Sequence, residues 1–487
     1  MELKPAWQRY NESDIEKINE LSASYINFIS ENKTEREVCA AAIKAAKGAG
    51  YVSLDEAIAK GEKLKAGSKI WASMRGKAVI LFQLGQKPLT GGMNILGAHI
   101  DSPRLDVKQN PLYESGDIAF LDTHYYGGIK HYQWVTLPLA LHGVVVKKDG
   151  SKINIVVGEH DNDPVFCISD LLPHLGREQM EKNGKAVVEG EALDIIIGNR
   201  PLILGECSQD NDSSLEGNSE SKKEDVKKRP VSSFVLKLLK EEFGIDEEDF
   251  LSAELEVVPA GRARELGFDR SMVLGYGQDD RVCAYTSLAA QLAVAQDSLD
   301  RSALCVLVDK EEIGSVGASG MASNFFENTI AEIMQLAGFE GELELRRALS
   351  ASRMLSSDVS AAFDPAYASV FEAKNSAYLG RGLVFNKYTG ARGKSGSNDA
   401  RAEYMAAIRQ IMAEANVQFQ TCELGKVDAG GGGTIAYIPA KYGMDVIDAG
   451  VPILSMHSPW EVSSKADIYE ARCGYEAFLK DGCETVL

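Results

Sequence analysis

Two ionised acids side by side after an apolar run repel each other unless a cation or a shared proton separates them. Glu311 and Glu312 stand in that position. They follow Cys305-Val306-Leu307-Val308 within Asp309-Lys310-Glu311-Glu312-Ile313-Gly314-Ser315. One can ligate a metal while the other takes a proton from metal-activated water. Four further segments supply matching groups. His99 and Asp101 lie in Gly97-Ala98-His99-Ile100-Asp101. A strand through this segment would put both on one face, and a carboxylate beside a ligating histidine holds its ring. Asp279 and Asp280 precede a helix, Asp358 sits in Ser356-Ser357-Asp358-Val359-Ser360, and His457 follows the apolar run 451–454. An H-x-D, an N-capping aspartate and a single buried histidine are each commonplace alone. Together, each beside a strand end, they form the ligand set of a two-metal hydrolase.

The charges balance. Two divalent cations carry four positive charges; Asp279, Glu312 and Asp358 remove three and a bridging hydroxide the fourth. His99 and His457 are then neutral, and Glu311 is left outside the cluster as the base. Oxygen and imidazole donors without thiolate suit zinc, with manganese and cobalt as alternatives.

These groups need strand ends held side by side. Ser13-Asp14-Ile15-Glu16 reads as a capping box, and Ile15, Ile18, Leu21, Tyr25, Ile26 and Ile29 recur behind it at helical spacing. A second helix is expected over 34–47, ending at Gly48. Residues 69–74 and 77–82 read as strands turned by Arg75-Gly76. Buried strands are expected at 93–98, entering His99, at 303–308 and at 451–456. Helices are expected over 282–295, around Gln335 and over 468–480. This alternation indicates an α/β sheet with helices on its faces. From Asp106 to Pro259 the pattern changes to short alternating runs, such as 143–147 and 152–157, without a strong helical period. The expected organisation is a discontinuous catalytic domain, 1–105 and 260–487, interrupted by a β-rich unit, 106–259. Its polar stretch 208–228 is too hydrophilic to bury and reads as a mobile loop.

GAHIDSPRLDVK, the Asp279-Asp280 pair, DKEEIGS, SSDVS and MHSPWE occur in the order and spacing of a known family. The chain resembles, over nearly its whole length, the aspartyl aminopeptidase and vacuolar aminopeptidase I family of dinuclear-zinc exopeptidases, in a bacterial-type form. The resemblance implies a phosphorylase/hydrolase-like mixed-sheet α/β catalytic domain, with the β-rich insertion serving dimerisation. It implies a metal-dependent aminopeptidase acting on short peptides with free N-termini. It also implies a homo-oligomer, a tetrahedral dodecamer built from dimers whose active sites face an inner chamber. By match, His99 and Asp358 complete one metal site, Glu312 and His457 the other, and Asp279 bridges them. Glu311 is the general base and Asp101 the orienter of His99. Gly431 and Gly432, in the run Ala429 to Thr434, fall near the peptide. Lys387, Arg392 and Lys394 lie in the basic loop 386–395, where the family's S1 determinant is found. The chain departs from acid-specific eukaryotic members at Ala361 and Asp364, which stand in the region where those carry two histidines. It also departs at Glu191-Ala192-Leu193-Asp194-Ile195, which lacks the histidine they lend to a neighbouring subunit. A preference for acidic N-terminal residues is therefore not implied.

Another two-metal exopeptidase or deacylase of the same fold, tetrahedral aminopeptidase-like or carboxypeptidase-like, would share these ligands and differ in its tolerance of blocked N-termini. An inactive assembly protein would lack a ligand, and none of the expected ones is missing. The 52 Lys and Arg against 71 Asp and Glu leave a net charge of −19, which disfavours nucleic acid and anionic membrane surfaces as partners. The eight cysteines form no C-x-x-C pair, so a zinc ribbon is unsupported. No apolar run reaches membrane-spanning length and no signal peptide is visible, so the expected compartment is the cytoplasm. Tyr125, Tyr126, His131, Tyr132 and Trp134 read as a core or subunit-interface cluster, and the five histidines in or near the insertion are not assigned as ligands.

Overall fold

The structure is a computed structural model that describes residues 4–203 and 226–483, with the side chains of residues 391–392 excepted. The expected loop 208–228 falls mostly outside the described residues. Contacts divide the chain into two units, Met1–Ser102 with Arg262–Leu487, and Pro103–Gly261.

The first unit is built on a nine-stranded mixed sheet. Four parallel strands form its centre, in the order Ser302–Val308, Met93–His99, Arg353–Ser356 and Asp445–Gly450. Antiparallel strands flank them, Ala78–Gln83 on one side and Leu383–Asn386 on the other. Ser302–Val308 and Met93–His99 are largely apolar because helices cover both faces. Alternate residues serve different cores. Leu96 and Ala98 pack on one face with Val282 and Leu288 of the helix Gln278–Ala293 and Tyr475 of the helix Lys465–Lys480. Met93 and Ile95 pack on the other with Phe326 and Ile330 of the helix Phe325–Leu336. The absence of a Cβ at Gly97 leaves room for the Met354 terminal methyl, which would lie 2.1 Å from one. The predicted hairpin is present as Lys69–Met74 and Ala78–Gln83.

Local signals set the helix ends with small shifts: the helices expected over 282–295 and 468–480 run Gln278–Ala293 and Lys465–Lys480. Thr34 and Glu37 form the capping box of the helix Glu35–Gly48. The first helix, Glu12–Glu31, starts earlier than Ser13 suggested: Asn11 and Asp14 make its capping box. The strand expected at 451–456 is shorter, Pro452–Leu454, and a further strand lies just before it. Asp445–Gly450 ends in the large sheet, and Pro452–Leu454 joins a separate five-stranded sheet.

The second unit carries a six-stranded sheet with antiparallel pairings. It also contains a helix the sequence reading missed, Pro230–Phe243. Pro230 stands at its first turn, and the left-handed Gly244 ends it, a start and stop signature visible in the sequence.

Among the described residues no helix is long and apolar enough to cross a membrane.

Candidate metal centre

Each sequence-predicted acid and histidine sits just beyond the carboxyl end of a strand or at the start of a helix, the crevice where open α/β sheets place their ligands. His99 is the last residue of its strand. The strand stops there, so Asp101 does not share its face by alternation. The His99 ring reaches Asp101 through Nδ1 instead, 3.0 Å from the Asp101 backbone carbonyl and 3.4 Å from Oδ1. The Asp101 carboxylate has a further task. Its two oxygens accept the backbone N–H groups of Glu311 and Glu312, at 3.1 and 3.2 Å.

The Glu311-Glu312 turn is pinned by its predecessor. Asp309 accepts the Ser319 hydroxyl at 2.6 Å, and its own N–H donates to the Ser319 carbonyl at 3.1 Å. Asp279 enters from the helix side. Gly277 holds φ +68°, and a Cβ there would fall 1.6 Å from the Arg281 guanidinium, so glycine is required twice over. Arg281 is fully buried and donates to the carbonyls of Lys33 and Tyr276. The Ser102 hydroxyl donates to the Asp279 carbonyl at 2.6 Å. The Asp279–Asp280 peptide bond is cis.

Asp279 Oδ1 lies 3.3 Å from His99 Nε2, and Oδ2 lies 3.1 Å from His457 Nε2, which in turn is 3.5 Å from Glu312 Oε2. Donor atoms of His99, Asp279 and Glu312 all lie within 4.8 Å of one another, as do those of His99, Asp280 and Asp358. The structure therefore brings together all five residues singled out as ligands, and it adds Asp280 beside Asp358. The other histidines stay apart in their own unit; His142, for example, faces Glu159 at 3.1 Å.

The electrostatics call for cations. Burial pushes the Glu311 carboxyl up to about 7 and those of Glu312, Asp280 and Asp358 well above the usual carboxylate range. Asp279 is the exception. Burial opposes its ionisation, but hydrogen bonds from His457 and His99 outweigh this and hold it below the ordinary value. His99 is held well above its ordinary value, against burial, by hydrogen bonds to Asp101 and Asp279. Glu312 Oε1 is buried with no hydrogen-bond partner, and the Asp280 oxygens lie against Cys283 and the His99 backbone without a well-formed bond. Buried oxygens normally find donors. Unpaired oxygens beside two imidazoles are a donor set that fits a metal ion with oxygen and nitrogen ligands.

The cluster opens into a cavity of about 530 Å³, whose walls include Gly431, Gly432, Val359, Leu424, Tyr437 and Met456. Lys387 and Lys394 do not line it. Their amines both go to Asp399, at 2.8 and 2.9 Å. Arg392 lies in the short helix Ala391–Lys394, its side chain outside the described residues. A larger cleft of about 1250 Å³, near Arg9, Tyr378 and Arg381, has no acid, histidine or cysteine in its lining and so lacks the donor set of a metal site.

Sequence reasoning missed two contributors, Asp280 as a neighbour of Asp358 and Glu461. Glu461, 1 % exposed, accepts the backbone N–H groups of Asp279 at 3.0 Å and His457 at 2.8 Å. Glu461 stood inside the MHSPWE motif, but an acceptor of backbone N–H groups leaves no spacing signal.

Comparison with known proteins agrees with this chemistry. The profile of the aminopeptidase I zinc metalloprotease (M18) family matches residues 28–479. A probable M18 family aminopeptidase 1 from Clostridium acetobutylicum is 58% identical over 480 residues, 99% of this chain and 98% of that protein. The crystal structure of aminopeptidase I from the same organism has a TM-score of 0.89 at 56% identity, covering 99% of this chain and 100% of that one. The crystal structure of an M18-family aminopeptidase from Thermotoga maritima also gives 0.89, at 41% identity and full coverage of both chains. With the family profile spanning most of the chain and relatives aligned end to end, the chain belongs to the aminopeptidase I zinc metalloprotease (M18) family and is a metal-dependent aminopeptidase.

Proposed function

We propose that the chain holds two divalent ions, zinc with manganese or cobalt as alternatives, and releases neutral N-terminal residues from short peptides. The observation that carries the dinuclear reading is Asp279, which presents one carboxylate oxygen to each histidine. His99 and Asp358 would hold one ion, Glu312 and His457 the other, and Asp279 both. Bound there, such ions would polarise the scissile carbonyl and bring the pKa of an attacking water near neutrality. Glu311 accepts the proton of that water on a carboxylate oxygen and delivers it to the leaving amine nitrogen. Asp101 fixes the reach of this base by holding its backbone N–H. Gly431 and Gly432, without a Cβ, let a peptide backbone approach closely.

The cavity walls support the neutral preference. Val359, Leu424, Tyr437 and Met456 are apolar or aromatic, and among the described side chains no lysine or arginine lines the cavity. An acidic substrate side chain would be desolvated there without a counter-charge.

The β-rich unit is proposed as the dimerisation surface of a cytoplasmic homododecamer. Support comes from the fold shared with the dodecamer of mApe1 from Saccharomyces cerevisiae, at TM-score 0.72 and 18% identity. An enclosed chamber would admit short peptides and exclude folded proteins.

Hydrolysis of aminoacyl anilides (Leu, Ala, Asp and Glu, free and N-acetylated) by metal-free protein given Zn, Mn or Co tests the reading. The expected result is metal-dependent cleavage of free Leu and Ala substrates. Cleavage of acetylated substrates, or a preference for Asp or Glu, would overturn it. Native mass measurement tests the assembly, and a monomer with full activity would refute it.

A further inference from the structure

We propose that Glu461 is a positioning residue that holds the second ion site, the one built from Glu312 and His457, in register with Asp279. The inference rests on the dinuclear reading above. Two buried carboxylates support the centre from behind, and they divide the work. Asp101 takes the backbone N–H groups of Glu311 and Glu312. Glu461 takes those of Asp279 and His457, one on each oxygen. It thereby ties the start of the helix Gln278–Ala293 to the loop that follows the strand Pro452–Leu454.

That loop needs such a tie. Ser455 and His457 have φ +60° and +63°, a left-handed conformation that side chains other than glycine adopt at a cost. The bond from His457 N–H to Glu461 Oε1 closes this turn and aims the imidazole at Asp279 and Glu312. Glu461 is itself held. The Gln278 side-chain amide donates to its backbone carbonyl at 2.6 Å, and the Gln278 Oε1 accepts from the hydroxyls of Ser463 and Tyr25. His99 and Asp358, on the other ion site, make no bond to Glu461. The two sites therefore depend on it unequally.

The substitution Glu461→Gln separates positioning from packing, because it keeps the shape and the neighbours. One end of the amide is a donor, so it would face a backbone N–H with another N–H. A side chain that only fills space would tolerate the change. Metal-free wild type and E461Q are titrated with Co(II), following the visible absorption of the bound ion, and metal content is measured after dialysis. Wild type is expected to take two equivalents. E461Q is expected to take the first with near wild-type affinity and the second roughly 10- to 100-fold more weakly, the usual effect of removing an outer partner of a metal ligand. Two equivalents bound equally tightly by E461Q, with an unchanged spectrum, would overturn the inference while leaving the dinuclear reading intact. A single equivalent in wild type would overturn the dinuclear reading, and this inference with it. If E461Q does not fold, Glu461→Asp carries the same test. Its carboxylate is one methylene short of reaching both N–H groups, so the same selective loss is expected, and wild-type binding of both ions would refute the role.

Discussion

The two sides of the cavity are built differently. On the metal side, four of the groups are held through their backbone: Asp101 binds Glu311 and Glu312, Glu461 binds Asp279 and His457, and Ser102 binds the Asp279 carbonyl. On the opposite side, Gly431 and Gly432 line the space, and Lys387 and Lys394 of the neighbouring loop both pair with one exposed aspartate, Asp399. Under the proposed function, the chemistry would rest on the firmly held side and selectivity on the other. A rigid first side can serve many peptides, while the second can be altered without disturbing the reaction.

If that contrast is real, changes on the metal side should be severe and qualitatively distinct. Asp279→Ala is expected to lose both ions and all measurable turnover, because one carboxylate serves both histidine-bearing halves. Metal analysis after extensive dialysis checks it, and retention of two equivalents per chain would refute the bridging role. Glu311→Gln should behave otherwise. The ligand set is untouched, so both ions remain, while kcat falls by roughly 10²–10⁴-fold for loss of the general base. Metal content and kinetics on one preparation separate the two outcomes.

The same contrast explains what could be read from the sequence. His99 and Glu311-Glu312 were legible because each follows a run that burial makes apolar, whereas Asp358 follows the mixed run Arg353-Met354-Leu355-Ser356-Ser357 and was legible only as part of the set. The hairpin and the Thr34 cap were legible from local chemistry. The helix Pro230–Phe243 carries its own Pro and Gly signals and was overlooked amid the surrounding strand-like alternation. The strand Asp445–Gly450 was not legible because Asp445 and Asp448 interrupt its apolar residues, and apolarity at 451–454 does not show that Pro452–Leu454 belongs to another sheet. Glu461 and the second task of Asp101 were not legible, because their partners are backbone N–H groups, which every residue type except proline supplies.

A glycine packed against the backbone of a metal-side residue sharpens the comparison at intermediate size. A Cβ on Gly450 would fall 1.7 Å from the Asp358 carbonyl oxygen, so Gly450→Ala must push the Asp358 backbone out of place. Misplacement of a site group by about 1 Å can cost ~10²-fold, and the expected loss in kcat/KM is about 10- to 100-fold, partly recovered by excess metal. Wild-type kinetics in this variant would show that the metal side is less rigid than its hydrogen bonds indicate.

The smallest expected effect lies on the opposite side. Lys387 and Lys394 are both about two-fifths exposed or more, and each makes its ion pair with Asp399. Exposed pairs of this kind contribute roughly 0.2–1 kcal/mol, and neither amine points into the cavity. Lys387→Ala and Lys394→Ala should therefore change kcat/KM by less than about 3-fold, equally for leucyl and glutamyl substrates, since 1.4 kcal/mol corresponds to about tenfold. The ratio between substrates is the informative quantity. A uniform small drop reflects a slightly loosened loop. A selective tenfold loss for the glutamyl substrate would mean that a lysine leaves Asp399 to meet the substrate carboxylate. The loop would then belong to the catalytic machinery, the preference for neutral residues would fall, and the division between a fixed chemical side and an adaptable selective one would fall with it.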